Sequence, residues 1–349
     1  MGIDFWRNKR VLVTGHTGFK GSWLSLWLQH LGAKVYGVAL QPATDPSLFR
    51  LARLEDGMQS RLCDIRDGQR LGALIRDCKP EIVFHLAAQP IVLKSYLEPI
   101  TTFETNIMGS AHLLNGLRGL DSVRVAIMVT TDKVYRDLAL PYPCREEDAL
   151  GGHDPYSASK AASEIVIASY RDAFLKDQGV AIATARAGNV IGGGDWSEHR
   201  LIPDAVRAWQ SNEVLAIRRP QAIRPWQHVL EPLNGYLTLA QRLWGCPELA
   251  GAYNFGPYTH EAATVCEVVE LSRQAYGKGE VSYGDGSTGP LEAGWLALET
   301  AKARIALSLQ PQWDLTESVR RTMSWYRAQQ SGANAKELCL TEIAEYVKE

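Results

Sequence analysis

Short apolar runs alternate along this chain with longer stretches whose apolar residues recur at helical spacing. Val11-Leu-Val-Thr14 is a β-branched run ending at Gly15, and Trp23, Leu24, Trp27, Leu28 and Leu31 follow at the period of a helix that stops at Gly32. Val35 to Leu40 reads as a second strand. Residues 68–77 predict a helix, Glu81 to Leu86 a buried strand, Thr102 to Leu117 a helix and Val123 to Thr130 a strand. Residues 156–175 predict another helix and Val180 to Arg186 another strand. Strand and helix alternating so regularly predict an α/β fold with a doubly wound parallel sheet. Ligands of such sheets lie beyond the carboxyl ends of the strands, where Gly15, Leu86, Thr130 and Arg186 emerge.

The pattern changes near residue 190. Gly192-Gly-Gly-Asp195 reads as a loop, and short strands and helices surround the aromatic-basic stretch Arg224-Pro-Trp-Gln-His-Val229. The expected division is a Rossmann-type dinucleotide domain over residues 1–189 and a smaller, mixed α/β substrate lobe over 190–349, some of whose segments rejoin the sheet. Helix Leu315 to Gln329 reads as packing. With 349 residues, 46% hydrophobic and 22% charged, the chain can bury a sizeable core. A net charge of −2 provides no basic field for nucleic acid or an anionic membrane. Met1 to Arg10 has no apolar core, and no run approaches the roughly 18 apolar residues of a spanning helix, so a soluble, cytoplasmic protein is expected. The six cysteines are dispersed with no Cys-x-x-Cys, which predicts free thiols and no metal.

Three features carry chemistry. Gly15, Gly18 and Gly21 open the first helix, where glycines let the backbone turn tightly and approach a pyrophosphate held at a helix N-terminus. Tyr156 and Lys160 lie one helical turn apart, so the ammonium is expected to lower the phenol's pKa and make it a general base. Thr131, Asp132 and Lys133 directly follow an apolar strand, where polar residues either face a cleft or, as with a capping Asp132, build a turn.

Together, Gly15-x-x-Gly-x-x-Gly21, Thr131 and Tyr156-x-x-x-Lys160 resemble the extended short-chain dehydrogenase/reductase family. The segments His85-Leu-Ala-Ala-Gln-Pro90, Thr131-Asp-Lys133, Gly151-Gly-His-Asp-Pro-Tyr-Ser157, Arg186 to Trp196 and Arg224 to Pro232 resemble its branch that dehydrates CDP-glucose in deoxysugar biosynthesis. The resemblance runs from about residue 5 to 330. It implies oxidation of the sugar at C4 by Tyr156 and Lys160, elimination of water across C5 and C6, and return of the hydride to C6. Thr131 would orient the 4-hydroxyl, and Asp132 would protonate the departing 6-hydroxyl. Lys133 stands where dTDP-glucose dehydratases carry glutamate, and would handle the C5 proton as an amine or stabilise the enolate as a cation.

The same resemblance implies a recycled NAD. Phe19 and Lys20 would join the three glycines around it, Asp64 and Ile65 would meet the adenine, and Ala87, Ala88 and Gln89 would meet the ribose and nicotinamide. Thr130, Tyr156 and Lys160 complete that set. The acid expected about twenty residues beyond the first glycine is missing: the second strand ends Ala39-Leu40-Gln41, and His16 and Lys20 add positive charge, so NADP stays open beside NAD. Asn189, Arg200 and Arg224 would hold the pyrophosphate of CDP-glucose or a related nucleotide sugar, with His228 also on the substrate side; Arg200 is alternatively a solvated surface residue. Relatives commonly carry histidine where Leu291 to Leu296 has Gly294, and aspartate where this chain has Glu299, which bears on base or hexose specificity. A homodimer or homotetramer built on helices 102–117 and 156–175 is expected. The alternatives are a nucleotide-sugar 4-epimerase, which needs Tyr156 and Lys160 but not Asp132 and Lys133, and a non-catalytic dinucleotide sensor.

Overall fold

The computed structural model describes residues 3–136, 142–286 and 294–348, so residues 291–293 of the Leu291 to Leu296 stretch lie outside the described residues. Seven strands form one parallel sheet: β1 (Arg10–Thr14), β2 (Lys34–Ala39), β3 (Gln59–Leu62), β4 (Ile82–His85), β5 (Val125–Val129), β6 (Ala181–Ala187) and β7 (Gly251–Phe255). Their order is 3-2-1-4-5-6-7. The chain winds outward from β1 in one direction and then from β4 in the other, which opens a crevice between the carboxyl ends of β1 and β4.

Alternation along each strand feeds two cores. Val11 and Val13 of β1 face one layer and Leu12 faces the other, with Leu71, Ile75, Leu113 and Leu117. Helix α1 (Phe19–His30) is buried on nearly every side from Gly21 to Leu28, because the sheet covers one face and the C-terminal helix Ala335–Lys348 another. Trp27 meets Tyr346 of that helix edge-on at 5.9 Å. A helix that is apolar all round has to be covered in this way.

Helix α2 spans Gly68–Cys78. The expected helix 102–117 begins earlier, at Pro99, and widens into a π-helical turn over Glu104–Met108 before α3 (Gly109–Leu117). Helix α4 (Pro155–Tyr170) likewise ends in a π-helical turn, Arg171–Leu175. Proline at the first helical position and the Asp154 side chain, which accepts from the Ser157 N–H at 2.9 Å, fix where α4 starts and hence where Tyr156 sits.

Residues beyond 190 do not all stay apart from the sheet. β7 lies beside β6 in register Gly251↔Ala183 to Phe255↔Ala187 and covers an edge that would otherwise be bare and apolar. Helix Leu230–Gly245 packs against β5 and β6. Small strand pairs stand outside the central sheet: Val190–Ile191 with Gln227–His228, Ile223–Arg224 with Ala263–Thr264, and Val214–Ile217 with Glu280–Tyr283. No helix among the described residues is long and apolar enough to cross a membrane. Among them, no cluster of His, Cys, Asp and Glu could hold a metal ion. All six cysteines carry free thiols.

Candidate active site

The crevice begins at Gly15, whose φ of +74° belongs to the left-handed region. A Cβ there would stand 2.7 Å from the Ala87 nitrogen, and one on Gly21 would stand 2.1 Å from the Gly15 carbonyl oxygen. These two positions admit no side chain: the first lets the strand turn against β4, the second lets α1 close on that turn. Gly18 caps α1 with no side-chain hydrogen bond, which leaves first-turn N–H groups available to an anion. Phe19 and Lys20 follow, both half-buried. The Lys20 ammonium is pushed down to about 8 by burial and by the neighbouring charges of Arg200 and Lys160. This cradle fits a dinucleotide.

His16 does not add the positive charge expected of it. Burial lowers its pKa to about 4, its Nε2 lies 2.8 Å from the Ser60 hydroxyl, and its ring meets Phe49 edge-on. Of the two groups invoked to accept a 2′-phosphate, only Lys20 remains.

Several cofactor candidates are partly committed elsewhere. Asp64 is bound by the Arg66 guanidinium at 2.6–3.1 Å, which holds its carboxyl below the usual range. Ile65 is buried against Gly109 and Ala87 donates its N–H to Thr14 Oγ1 at 3.2 Å, while Ala88 is half-buried. The Gln89 amide donates to Thr102 Oγ1 at 2.9 Å and accepts from the Ile91 N–H at 2.7 Å, so its side chain braces its own loop. The Thr130 hydroxyl donates to Glu164 at 2.5 Å.

At the end of β5 the Thr131–Lys133 turn faces α4. The Thr131 hydroxyl donates to Asp132 Oδ1 at 3.0 Å and accepts from the Lys133 N–H at 3.4 Å. Asp132 is buried, and its Oδ2 has no hydrogen-bond partner. Gly188 leaves room beside it, since a Cβ there would stand 2.9 Å from Oδ2. Burial raises the Asp132 pKa, and the attraction of Lys133, Thr131, Arg224 and Lys20 does not undo that rise. A carboxyl held toward its protonated form, with one oxygen free, can donate a proton.

Tyr156 and Lys160 are both buried beside this turn. Contrary to expectation, the phenol is pushed up, to about 12: burial outweighs the contact with Thr131 and the charge of Arg200. Lys160 Nζ donates to the Val129 carbonyl at 3.3 Å, and burial draws its pKa down to about 8 against the pull of Glu164. The ammonium turned toward β5 therefore does not by itself offset the dry surroundings of Tyr156.

On the opposite wall Arg200 is half-buried, not a free surface residue, and donates to the buried Asp195 at 2.9 Å. Arg224 is buried with its charge acting on Asp132, and Asn189 is half-buried and uses its carbonyl to hold Gln227. His228 is a correction. It is fully buried between Trp23 and Trp313, its Nε2 is 3.2 Å from the Glu342 carboxylate, and it belongs to the core.

Two parts of the site went unread in the sequence. Helix Leu315–Gln330 does more than pack: Tyr326 donates to the Asp195 carbonyl at 2.5 Å and Trp325 lies against Gly193, which fixes the loop that holds Arg200. Glu164 and Arg186 pair behind the site. The signal was present: Tyr156, Lys160 and Glu164 recur every four residues on one face of α4.

Comparison with known proteins agrees with this arrangement. The family model described as GDP-mannose 4,6 dehydratase matches residues 12–322. CDP-glucose 4,6-dehydratase of Salmonella typhimurium is 45% identical over 350 residues, covering 99% of this chain and 98% of that protein. UDP-glucose 4-epimerase 1 of Oryza sativa subsp. japonica is 25% identical, covering 91% and 94%. Among solved structures, a UDP-glucose-4-epimerase from Stenotrophomonas maltophila with bound NAD superposes with a TM-score of 0.79 at 24% identity, covering 94% of this chain and 100% of the other. A dTDP-glucose 4,6-dehydratase from Bacillus anthracis in complex with NAD gives 0.77 at 22%, covering 92% and 97%. At those identities the two structures speak for the shared fold. The model matched along most of the chain, and the relative 45% identical over nearly all of it, make this protein a member of the GDP-mannose 4,6 dehydratase family, within the extended short-chain dehydrogenases/reductases.

Proposed function

We propose that this protein is an NAD-dependent hydro-lyase that converts CDP-glucose to CDP-4-keto-6-deoxyglucose and water. The observation that carries the reading is Asp132, a buried carboxyl with a raised pKa and a free Oδ2, next to Thr131 and on the same crevice as Tyr156 and Lys160. The Salmonella relative names the substrate.

Bound NAD would supply the acceptor that takes hydride from C4 and gives it back at C6. The chain's own groups do the rest. Gly15, Gly18 and Gly21 with Lys20 would hold the dinucleotide. Tyr156 takes the proton of the 4-hydroxyl, which Thr131 orients, and the field of Lys160 and Arg200 steadies the phenolate. The 4-ketone acidifies the C5 hydrogen, Lys133 as an amine receives that proton, and Asp132 protonates the 6-hydroxyl as water leaves. With hydride returned to C6, C5 would take back the proton from Lys133, and the proton held by Tyr156 would restore Asp132. Arg200, Arg224 and Asn189 would face the diphosphate of the substrate.

An epimerase would use Tyr156 and Lys160 alone, and needs no dry acid at Asp132. Incubation with CDP-glucose followed by mass spectrometry separates the readings. Loss of one water supports the dehydratase, an isobaric product supports the epimerase, and no turnover refutes both.

The same reading includes a dimer or tetramer of identical chains. Leu97, Ile100, Met108, Ile165 and Phe174 are 42–83% exposed, and all lie on the helical segments from Val92 to Met108 and from Pro155 to Leu175. Light scattering on the purified protein tests this, and a monomer at micromolar concentration would count against it.

A further inference from the structure

The Glu164 carboxylate accepts four hydrogen bonds. Oε1 takes the Thr130 hydroxyl at 2.5 Å and Arg186 Nε at 3.0 Å, and Oε2 takes the Thr184 hydroxyl at 2.8 Å and Arg186 Nη2 at 3.0 Å. Both side chains of the pair are 4% exposed. Arg186 Nη1 continues to the Tyr135 hydroxyl and the Glu146 carbonyl, each at 3.0 Å, and Tyr135 donates to Asn254 Oδ1 at 2.6 Å. One carboxylate on α4 thus ties together the ends of β5 and β6 and, through Tyr135, β7.

A buried ion pair stabilises a fold little more than an apolar pair of equal volume would, because both charges lose their water. What four fixed bonds supply is a single geometry. Thr130 immediately precedes the Thr131–Lys133 turn, and Glu164 stands two turns from Tyr156 on the same face, with Lys160 between them and bonded to the carbonyl of Val129. We propose that Glu164, clamped by Arg186, is a positioning residue that fixes the spacing between the Tyr156–Lys160 pair on α4 and the Thr131–Asp132 turn at the end of β5. The inference rests on the dehydratase reading above. Glu164 also supports the charge of Lys160 against burial.

The test compares wild type with E164Q, the double variant E164Q/R186M, T130V and T130S, using CDP-glucose turnover across pH, thermal melting, and NMR titration of lysine carbons labelled at Cε with K160M for assignment. E164Q should melt lower, since the buried Arg186 guanidinium loses its counter-charge. Its kcat should fall roughly 10- to 100-fold, the loss expected when reacting groups shift by about an ångström, with KM little changed. Its alkaline limb and the Lys160 titration should move to lower pH. The double variant should recover melting temperature but not kcat, while T130V should lower kcat and T130S restore it. A double variant with wild-type kcat and pH profile overturns the proposal, as does a T130V enzyme with unchanged kcat. Should wild type leave CDP-glucose untouched, the dehydratase reading fails, and an unmoved Lys160 titration in E164Q would then overturn the inference on its own.

Discussion

Asp132→Asn keeps the shape of the side chain and removes the proton it could give away. Burial outweighs the attraction of Lys133, Thr131, Arg224 and Lys20 in setting the Asp132 pKa. A carboxyl whose folded pKa lies above its unfolded one stabilises the fold only at low pH, and that stability is lost as pH rises toward the folded value. Asparagine carries no such burden, so the variant should melt at or above the wild-type temperature at neutral pH. Its chemistry should suffer in the opposite sense. General acid catalysis contributes about 10²–10⁴-fold, or about 3–5 kcal/mol at ~1.36 kcal/mol per decade, and the loss should fall on water elimination alone. A single turnover with CDP-glucose, followed by the absorbance of reduced nicotinamide and by mass spectrometry, should show C4 oxidation at near wild-type rate and scarcely any dehydrated product. If Asp132→Asn dehydrates at the wild-type rate and melts lower, Asp132 is a structural counter-ion and the assignment is wrong.

Lys133→Met should likewise block water loss while cofactor reduction survives, because in the proposed mechanism its side chain would act after C4 is oxidised; dehydration at the wild-type rate would remove Lys133 from the chemistry. Lys160 and Lys20 are both drawn down to about 8, so kcat/KM should fall on the alkaline side with an apparent pKa near 8. Ordinary lysines, which titrate near ~10.4, would keep the rate level well beyond that point, and a flat profile to about pH 10 refutes the assignment. Gly21→Ala places a Cβ 2.1 Å from the Gly15 oxygen, a contact that backbone on both sides cannot relax. It should yield poorly folded protein or protein whose melting temperature no longer rises with added NAD, and normal stabilisation by NAD would count against the cradle.

Strands β1, β2, β4, β5 and β6 were legible because they are short, apolar runs between helices punctuated by glycine, proline and an aspartate cap. Strand β3, Gln59-Ser-Arg-Leu62, is polar and largely exposed and carries no such signal. The limits came where tertiary cover decides. Nothing in Gly251-Ala-Tyr-Asn-Phe255 announces an edge strand; it becomes one because β6 needs a neighbour. The π-helical turns at Glu104–Met108 and Arg171–Leu175 leave no mark in the apolar period. His228 looked available because it sits in a basic and aromatic stretch, but Trp23 and Trp313, distant in sequence, close around it.

The structure brings Thr131, Asp132, Tyr156 and Lys160 together, as strand order and helical spacing predict, but their electrostatics differ from expectation. Spacing placed Lys160 one turn from Tyr156, and it does lie there, yet proximity along a helix says nothing of how dry the face is. Burial raises the phenol to about 12 and lowers the ammonium to about 8, so the pair is drawn toward two neutral groups. Asp132, also buried, is drawn the same way. The three shifts share one cause, and together they describe a site that favours protonated acid, protonated phenol and a weakly held ammonium until positive charge enters. Cationic charge from Arg200 on the far wall already pulls Tyr156 in the useful direction. The oxidised nicotinamide of a bound cofactor would add to that pull. Tyr156 would then gain basicity only when a cofactor able to accept hydride is in place, which keeps proton removal and oxidation in step.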